Sequence, residues 1–303
     1  MDTRALPRVL LFGAGGQLGT QLCRCLNDCF TLTVGNYRLV QKGFNLLDLK
    51  SIGATIDALQ PNIIINAAAY NRVDSAEINE SEAYAVNSTA LRTMGAHAKK
   101  VGAFLVHFSS DYVYDGLLKR PYHETDVASP LNVYGQSKLE GELALIDSGC
   151  DYFIFRTSWV YSEYGDNFLK SILSLAQSET TISVIEDQFG VPTSAALLAR
   201  VTRGCLKKVL LTADNFSGVY NVVPEGKTNW YEYARFIIDE ARNLGLPIKV
   251  SDESLLGVSS KDYSSKARRP KNSCLDTTKI RDTFGLELPH WKYDVVNVLK
   301  RLV

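Results

Sequence analysis

The sequence carries no surplus charge of either sign: Lys plus Arg and Asp plus Glu each number 33 in 303 residues. Balanced charge offers no broad attraction to nucleic acid or to an anionic membrane, so neither is expected as a partner. Long hydrophobic runs are also missing, and nothing approaches the ~20 apolar residues of a membrane span. The first apolar run, Val9-Leu-Leu-Phe12, is too short for a signal peptide and passes straight into glycines, which predicts a cytoplasmic chain. Metal-ligand patterns are lacking too. The four histidines, His97, His107, His123 and His290, are scattered, and the six cysteines include no C-x-x-C. Cys23, Cys25 and Cys29 cluster, but Cys23 and Cys25 fall on different faces of an expected helix. Together with Cys150, Cys205 and Cys274 they read as reduced structural thiols.

What is present is ordinary globular composition, 46% apolar and 22% charged, in a chain long enough for one large or two smaller domains. Val9–Phe12 leads into Gly13-Ala-Gly-Gly16-Gln17-Leu18-Gly19 and then a helical pattern to about Asp28. Strand, glycine turn and helix form the context of a dinucleotide fingerprint, here G-x-x-G-x-x-G. Such glycines let the backbone approach a pyrophosphate seated at a helix N-terminus. A second strand, Leu32–Val34, ends near Asn36 and Arg38. The acidic residue that would hold an NAD ribose is absent there, and Arg38 can receive a 2′-phosphate, which favours NADPH with NADH as the alternative. Pro61–Asn66 reads as a central parallel strand ending in Ala67, Ala68 and Ala69, small enough for a cofactor ring to come close. A long helix is expected over about 80–101, and Phe104–Phe108 is the next strand, ending at Ser109, Ser110 and Asp111.

Tyr134 and Lys138 stand four residues apart at the start of an expected helix, on one face and one turn apart. A phenol beside an ammonium is a tuned proton donor, because the positive charge favours phenolate and lowers the phenol's pKa. A Tyr–Lys pair alone is common on ordinary helices; the upstream cofactor loop and strand-end serine give this one weight. Beyond Tyr152–Phe155 the alternation loosens. Strands are expected at Thr181–Ile185 and Gly218–Val223, and helices at about 167–177, 195–210 and 230–244. Arg268, Arg269 and Lys271 place three positive charges in one loop, suited either to a phosphate or to solvent.

These motifs together resemble the extended short-chain dehydrogenase/reductase superfamily. Pro61–Tyr70, Ser109–Gly116, Pro130–Lys138, Arg156–Tyr161, Asp187–Thr193 and Arg268–Ser273 resemble, in order, the dTDP-4-dehydrorhamnose reductase family. The resemblance implies an α/β, Rossmann-like doubly wound parallel sheet with a smaller, interwoven C-terminal substrate domain. It divides the chain into residues 1–160 plus about 190–223 for the cofactor, and about 161–189 plus 224–303 for the nucleotide sugar. It implies reduction of the 4-keto group of dTDP-6-deoxy-L-lyxo-4-hexulose to dTDP-L-rhamnose by NADPH or NADH. Tyr134 would be the acid, Lys138 its partner, and Ser110 the hydroxyl on the sugar oxygen. Gly13, Gly16, Gln17, Leu18, Gly19, Asn36, Arg38, Asn45, Leu46, Ala67, Ala68 and Ala69 would line the cofactor; Asp111 and Trp159 would meet substrate. Asn45 replaces the family's usual acidic residue. Members that dimerise through Mg²⁺ carry carboxylates where this chain has Gln21 and Ala196, which leaves little charge to hold the ion and points to a monomer or a metal-free homodimer. Two alternatives stay open: a reductase or epimerase for another nucleotide sugar, and a non-catalytic subunit like the regulatory subunit of methionine adenosyltransferase.

Overall fold

The continuous apolar runs become the strands of one parallel sheet. The computed structural model describes residues 6–35, 45–212 and 214–303. In it β1 (Arg8–Phe12), β2 (Thr31–Gly35), β3 (Ile63–Asn66), β4 (Phe104–Ser110), β5 (Tyr152–Thr157) and a sixth strand, Gly218–Asn221, all pair in parallel. Their spatial order is Gly218–Asn221, β5, β4, β3, β1, β2. Ile63, Ile64 and Ile65 are all buried, as strands must be when helices cover both faces. On one face α1 (Gln17–Leu26) and the Ala195–Leu211 helix contribute Leu18, Leu22, Leu26, Leu198 and Cys205. On the other, α2 (Leu49–Leu59) and the Ala90–Val101 helix contribute Ile52, Ile56, Leu91 and Met94. The chain reverses direction across the sheet between β1 and β3. In a doubly wound sheet that switch point opens a crevice at the carboxyl ends of the strands, where ligands bind. The expected fold class is the one observed.

The stretch expected as one helix over 80–101 is interrupted. Glu80–Tyr84 and Ala90–Val101 are α-helical, with a π-turn, Ala85–Thr89, between them. Such turns recur at functional sites, and this one carries buried Asn87 towards the Tyr70 backbone. Asn87 accepts from Tyr70 N at 2.9 Å and donates to Tyr70 O at 3.0 Å and Ser137 Oγ at 3.0 Å.

A third apolar cluster lies in the C-terminal half, built on Ile172, Val184, Tyr233, Ile237, Trp291, Val295 and Leu299. It also takes in Val113, Tyr114 and Tyr122 from the first half. Two helices, Thr278–Phe284 on the first apolar cluster and Trp291–Leu302 on this one, carry no clear signal in the sequence. The latter buries Trp291, Val295, Val298 and Leu299 on one stripe, and His290 accepts from Lys292 N at its start. The segment that precedes the Thr278–Phe284 helix is threaded through the molecule. Tyr122 N donates to Cys274 O and Asp276 N to Tyr122 O, both at 2.8 Å, while Ser273 N donates to Phe189 O at 2.8 Å. Asn272 donates to Leu118 O and Arg120 O at 2.7 and 2.9 Å. All six cysteines are free thiols. Among the described residues no helix is long and apolar enough to cross a membrane.

Candidate active site

The Val133–Asp147 helix begins where its first backbone N–H groups find a side-chain acceptor. Asn132 accepts from Gly135 N at 2.7 Å, a helix N-cap. The same side chain donates to Arg268 O at 2.7 Å, so the threaded segment holds the helix start. Tyr134, Lys138 and Glu142 follow one turn apart on the face turned to the sheet. Glu142 is buried and paired with Arg156 of β5, whose guanidinium also donates to Tyr114 Oη at 2.7 Å. Burial works against the Arg156 charge, but the Glu142 hydrogen bonds and charge overcome it and raise its pKa. The helix is therefore anchored two turns beyond Tyr134.

Ser110, the last residue of β4, lies beneath Tyr134. Its Oγ accepts from Tyr112 N at 3.1 Å, donates to Asp111 Oδ1 at 3.0 Å, and is within hydrogen-bond reach of the Tyr134 phenol. Tyr112 packs edge-on against Tyr134, with centroids 5.8 Å apart. Asp111 is buried and its Oδ2 has no hydrogen-bond partner. Burial pushes its carboxyl up to about 7, against the downward pull of the Ser273 and Ser110 hydroxyls. Burial likewise pushes Tyr134 up to about 12, opposed by Ser110 and reinforced by the Asp111 charge.

The lowering of the Tyr134 pKa expected from Lys138 is thus not what the structure holds. The reason is where Lys138 goes: its buried Nζ donates to Phe108 O at 2.6 Å and lies 3.2 Å from His107 Nε2. Burial pulls Lys138 down to about 8, with Glu142 opposing.

At the switch point the glycine turn meets the end of β3. Gly13 has φ +83°, and a Cβ there would stand 2.7 Å from Ala68 N and 2.8 Å from Ala67 C. A Cβ on Gly19 would fall 2.0 Å from Gly13 O. Only glycine permits this approach. α1 begins at Gly16 with no side-chain cap and no acidic residue in its first turn, so its N–H groups are left for an anion. The cradle fits a dinucleotide pyrophosphate. Ala67 and Ala68 are half-buried and Ala69 is exposed. Leu18 and Leu46 point into the apolar cores, so only their backbones can face a ligand. Gln17 spends its side chain on Asn167, Ser162 and the Asp166 carbonyl. Asn45 is exposed and accepts from Leu47 N. Asn36 and Arg38 lie outside the described residues.

Trp159 has φ +47° and stacks on Trp230 with ring centroids 3.5 Å apart. Gly190 makes room for it: a Cβ there would stand 2.6 Å from the indole. The Asp187–Thr193 motif is therefore a seat for Trp159. Of the three tail cations, Arg269 binds Asp74 and Tyr112, and Lys271 binds Asp187. That leaves exposed Arg268 as the cation suited to a phosphate, a smaller cluster than the loop's composition suggested. Gln21 donates to Glu163, which also pairs with Arg301. Among the described residues no three His, Cys, Asp or Glu side chains converge as metal ligands.

Four site residues escaped the sequence reading: Asn66, Asn87, His107 and Asn132. Asn132 carried a usable signal, an N-cap residue just before a helix. Asn66 and His107 are register partners on β3 and β4. Their only trace in sequence is a polar residue at corresponding positions of two apolar strands.

Comparison with known proteins agrees with this geometry. Residues 7–303 match the sequence profile of the RmlD substrate binding domain family. The chain is 40% identical to the dTDP-4-dehydrorhamnose reductase of Escherichia coli (strain K12) over 294 residues, covering 97% of each chain. It is also 40% identical to that of Salmonella typhimurium, with the same coverage. The crystal structure of dTDP-4-dehydrorhamnose reductase from Bacillus anthracis in complex with NADP superposes with a TM-score of 0.87 at 32% identity, covering 98% of this chain and 99% of that one.

Proposed function

The chain belongs to the RmlD substrate binding domain family of dTDP-4-dehydrorhamnose reductases, and on that footing we propose that it reduces the 4-keto group of dTDP-6-deoxy-L-lyxo-4-hexulose to dTDP-L-rhamnose. It is an oxidoreductase, and its cofactor is NADPH. The single observation that carries the residue assignment is the convergence of Ser110, Asp111 and Tyr134 at the end of β4, beside the glycine cradle.

Bound NADPH supplies the hydride that the ketone carbon accepts. Tyr134 gives its phenolic proton to the ketone oxygen as negative charge builds there, completing the alcohol. A phenol raised to about 12 is fully protonated at neutral pH, the form a reduction requires. Ser110 shares a hydrogen bond with the same oxygen and holds it near the phenol. Lys138 stabilises the tyrosinate left behind and steadies the cofactor ribose. Gly13, Gly16 and Gly19 bring the backbone to the pyrophosphate. Asp111 and Trp159 receive the sugar nucleotide. Residues 1–160 with about 190–223 form the cofactor-binding part, and about 161–189 with 224–303 the nucleotide-sugar part; the Gly218–Asn221 strand, paired to β5, supports that division. The non-catalytic alternative is not favoured. The test is NADPH oxidation with the enzymatically generated dTDP-4-keto sugar and identification of the product. Turnover of UDP- or GDP-linked analogues in preference to it would overturn the substrate assignment.

A further inference from the structure

Behind Lys138 runs a buried chain of hydrogen bonds whose polarity can be read from one end. Ala68 N is a backbone donor and cannot be otherwise, so the Asn66 atom 3.1 Å away must be its carbonyl oxygen. That orients the Asn66 amide, and its NH2 group then faces His107 Nδ1 at 3.3 Å. A ring nitrogen that accepts carries no proton, so neutral His107 carries it on Nε2. Burial holds His107 well below its ordinary pKa, in the neutral form. Its Nε2–H points at Lys138 Nζ, 3.2 Å away. Against an ammonium that contact sets donor against donor. Against a free amine it is a hydrogen bond to the lone pair, and the amine still donates to Phe108 O.

We propose that His107, fixed as its Nε2–H tautomer by Asn66, is a positioning residue that holds Lys138 against β4 and favours its uncharged amine form in the cofactor-free protein. The inference rests on the reading of Lys138 as the partner of Tyr134. The smaller the charge on Lys138, the less it draws the proton off Tyr134, so the acid stays loaded before reduction. The charged groups around the pair agree. Glu142 on the same helix favours the ammonium, but Arg156 on β5 pairs with it, and Asp111 beyond β4 acts on Tyr134 instead. Burial with Glu142 sets Lys138 at about 8. A hydrogen bond to the uncharged form lowers it further.

The test uses the cofactor-free protein and nitrogen-15 NMR. The His107 ring should show an unprotonated Nδ1 and a proton on Nε2 at neutral pH. A proton on Nδ1, or an imidazolium, overturns the proposal. The Lys138 Nζ signal, assigned by its loss in Lys138→Met, should titrate below 8. In His107→Phe its midpoint should rise by about one pH unit, the worth of one hydrogen bond; an unmoved midpoint in the folded variant overturns the proposal. Asn66→Asp replaces the donor with an acceptor, so the tautomer should flip to Nδ1–H. A histidine that only filled space would show neither shift. If His107→Phe does not fold, the wild-type tautomer and Asn66→Asp still decide. Failure to reduce the dTDP-sugar would sink the proposed function without touching these signals.

Discussion

At the residue scale, Tyr134 is the group whose loss should be most specific. Tyr134→Phe keeps the ring that packs against Tyr112 and removes only the proton donor. Turnover should fall by at least ~100-fold, with NADPH Kd, read by fluorescence titration, unchanged. Wild-type-like turnover would refute the assignment. Asp111 gives a pH signature. Its folded pKa of about 7 lies above the ~3.9 of a free aspartate, so the folded chain binds more protons than the unfolded one between ~pH 4 and 7. Stability from this group therefore falls as pH rises through that window, and above it the buried carboxylate costs about 4 kcal/mol. Asp111→Asn should raise Tm relative to wild type at about pH 8 and change it little at about pH 4. Equal differences at the two pH values would remove the buried-charge account. The Tyr–Lys spacing was legible in sequence, but the direction in which Lys138 turns was not. Spacing places both residues on one face, whereas the partner of Lys138 is set by His107 on a strand 31 residues away.

At the scale of elements, the strands were plain in sequence because they are buried on both faces and read as unbroken apolar runs. The Val133–Asp147 helix has no apolar stripe, since its buried face carries Gly135, Ser137, Lys138, Gly141 and Glu142. It was found through chemistry, not periodicity. The π-turn at Ala85–Thr89 left no mark, because one added residue barely disturbs an apolar pattern. The anchor of the Val133–Asp147 helix makes a prediction here. Glu142→Gln leaves the Arg156 charge buried and unpaired, and should cost roughly 3–5 kcal/mol in urea denaturation. A change below ~1 kcal/mol would mean the pair does not anchor the helix. Gly13→Ala forces a Cβ into the end of β3 and should weaken NADPH binding strongly. Unchanged affinity would dissociate the glycine turn from the cofactor site.

At the scale of the whole molecule, the segment 267–276 joins parts of the chain that are far apart in sequence. It bonds to Asp74, the Leu118–Tyr122 stretch, Asn132 and Phe189. In sequence it is a basic loop and a family motif, Arg268–Ser273; its stitching is not legible there, because it is done by backbone groups and by Asn272, not by its charges. All three tryptophans, Trp159, Trp230 and Trp291, belong to the C-terminal cluster. Their fluorescence therefore reports one part of the molecule and far-UV dichroism the whole. With the segment stitched in, the two denaturation curves should coincide. Separate midpoints would show that the stitching does not couple the parts.

The Trp159–Trp230 stack carries a consequence of another kind. Two indoles this close, with ring planes 13° apart, couple their electronic transitions and behave optically as one chromophore. The cofactor-free protein should show an exciton couplet in its ultraviolet circular dichroism that Trp230→Phe abolishes. If Trp159, on its strained backbone, receives the sugar nucleotide as proposed, that couplet should change as the nucleotide enters, giving the molecule a label-free optical gauge of occupancy.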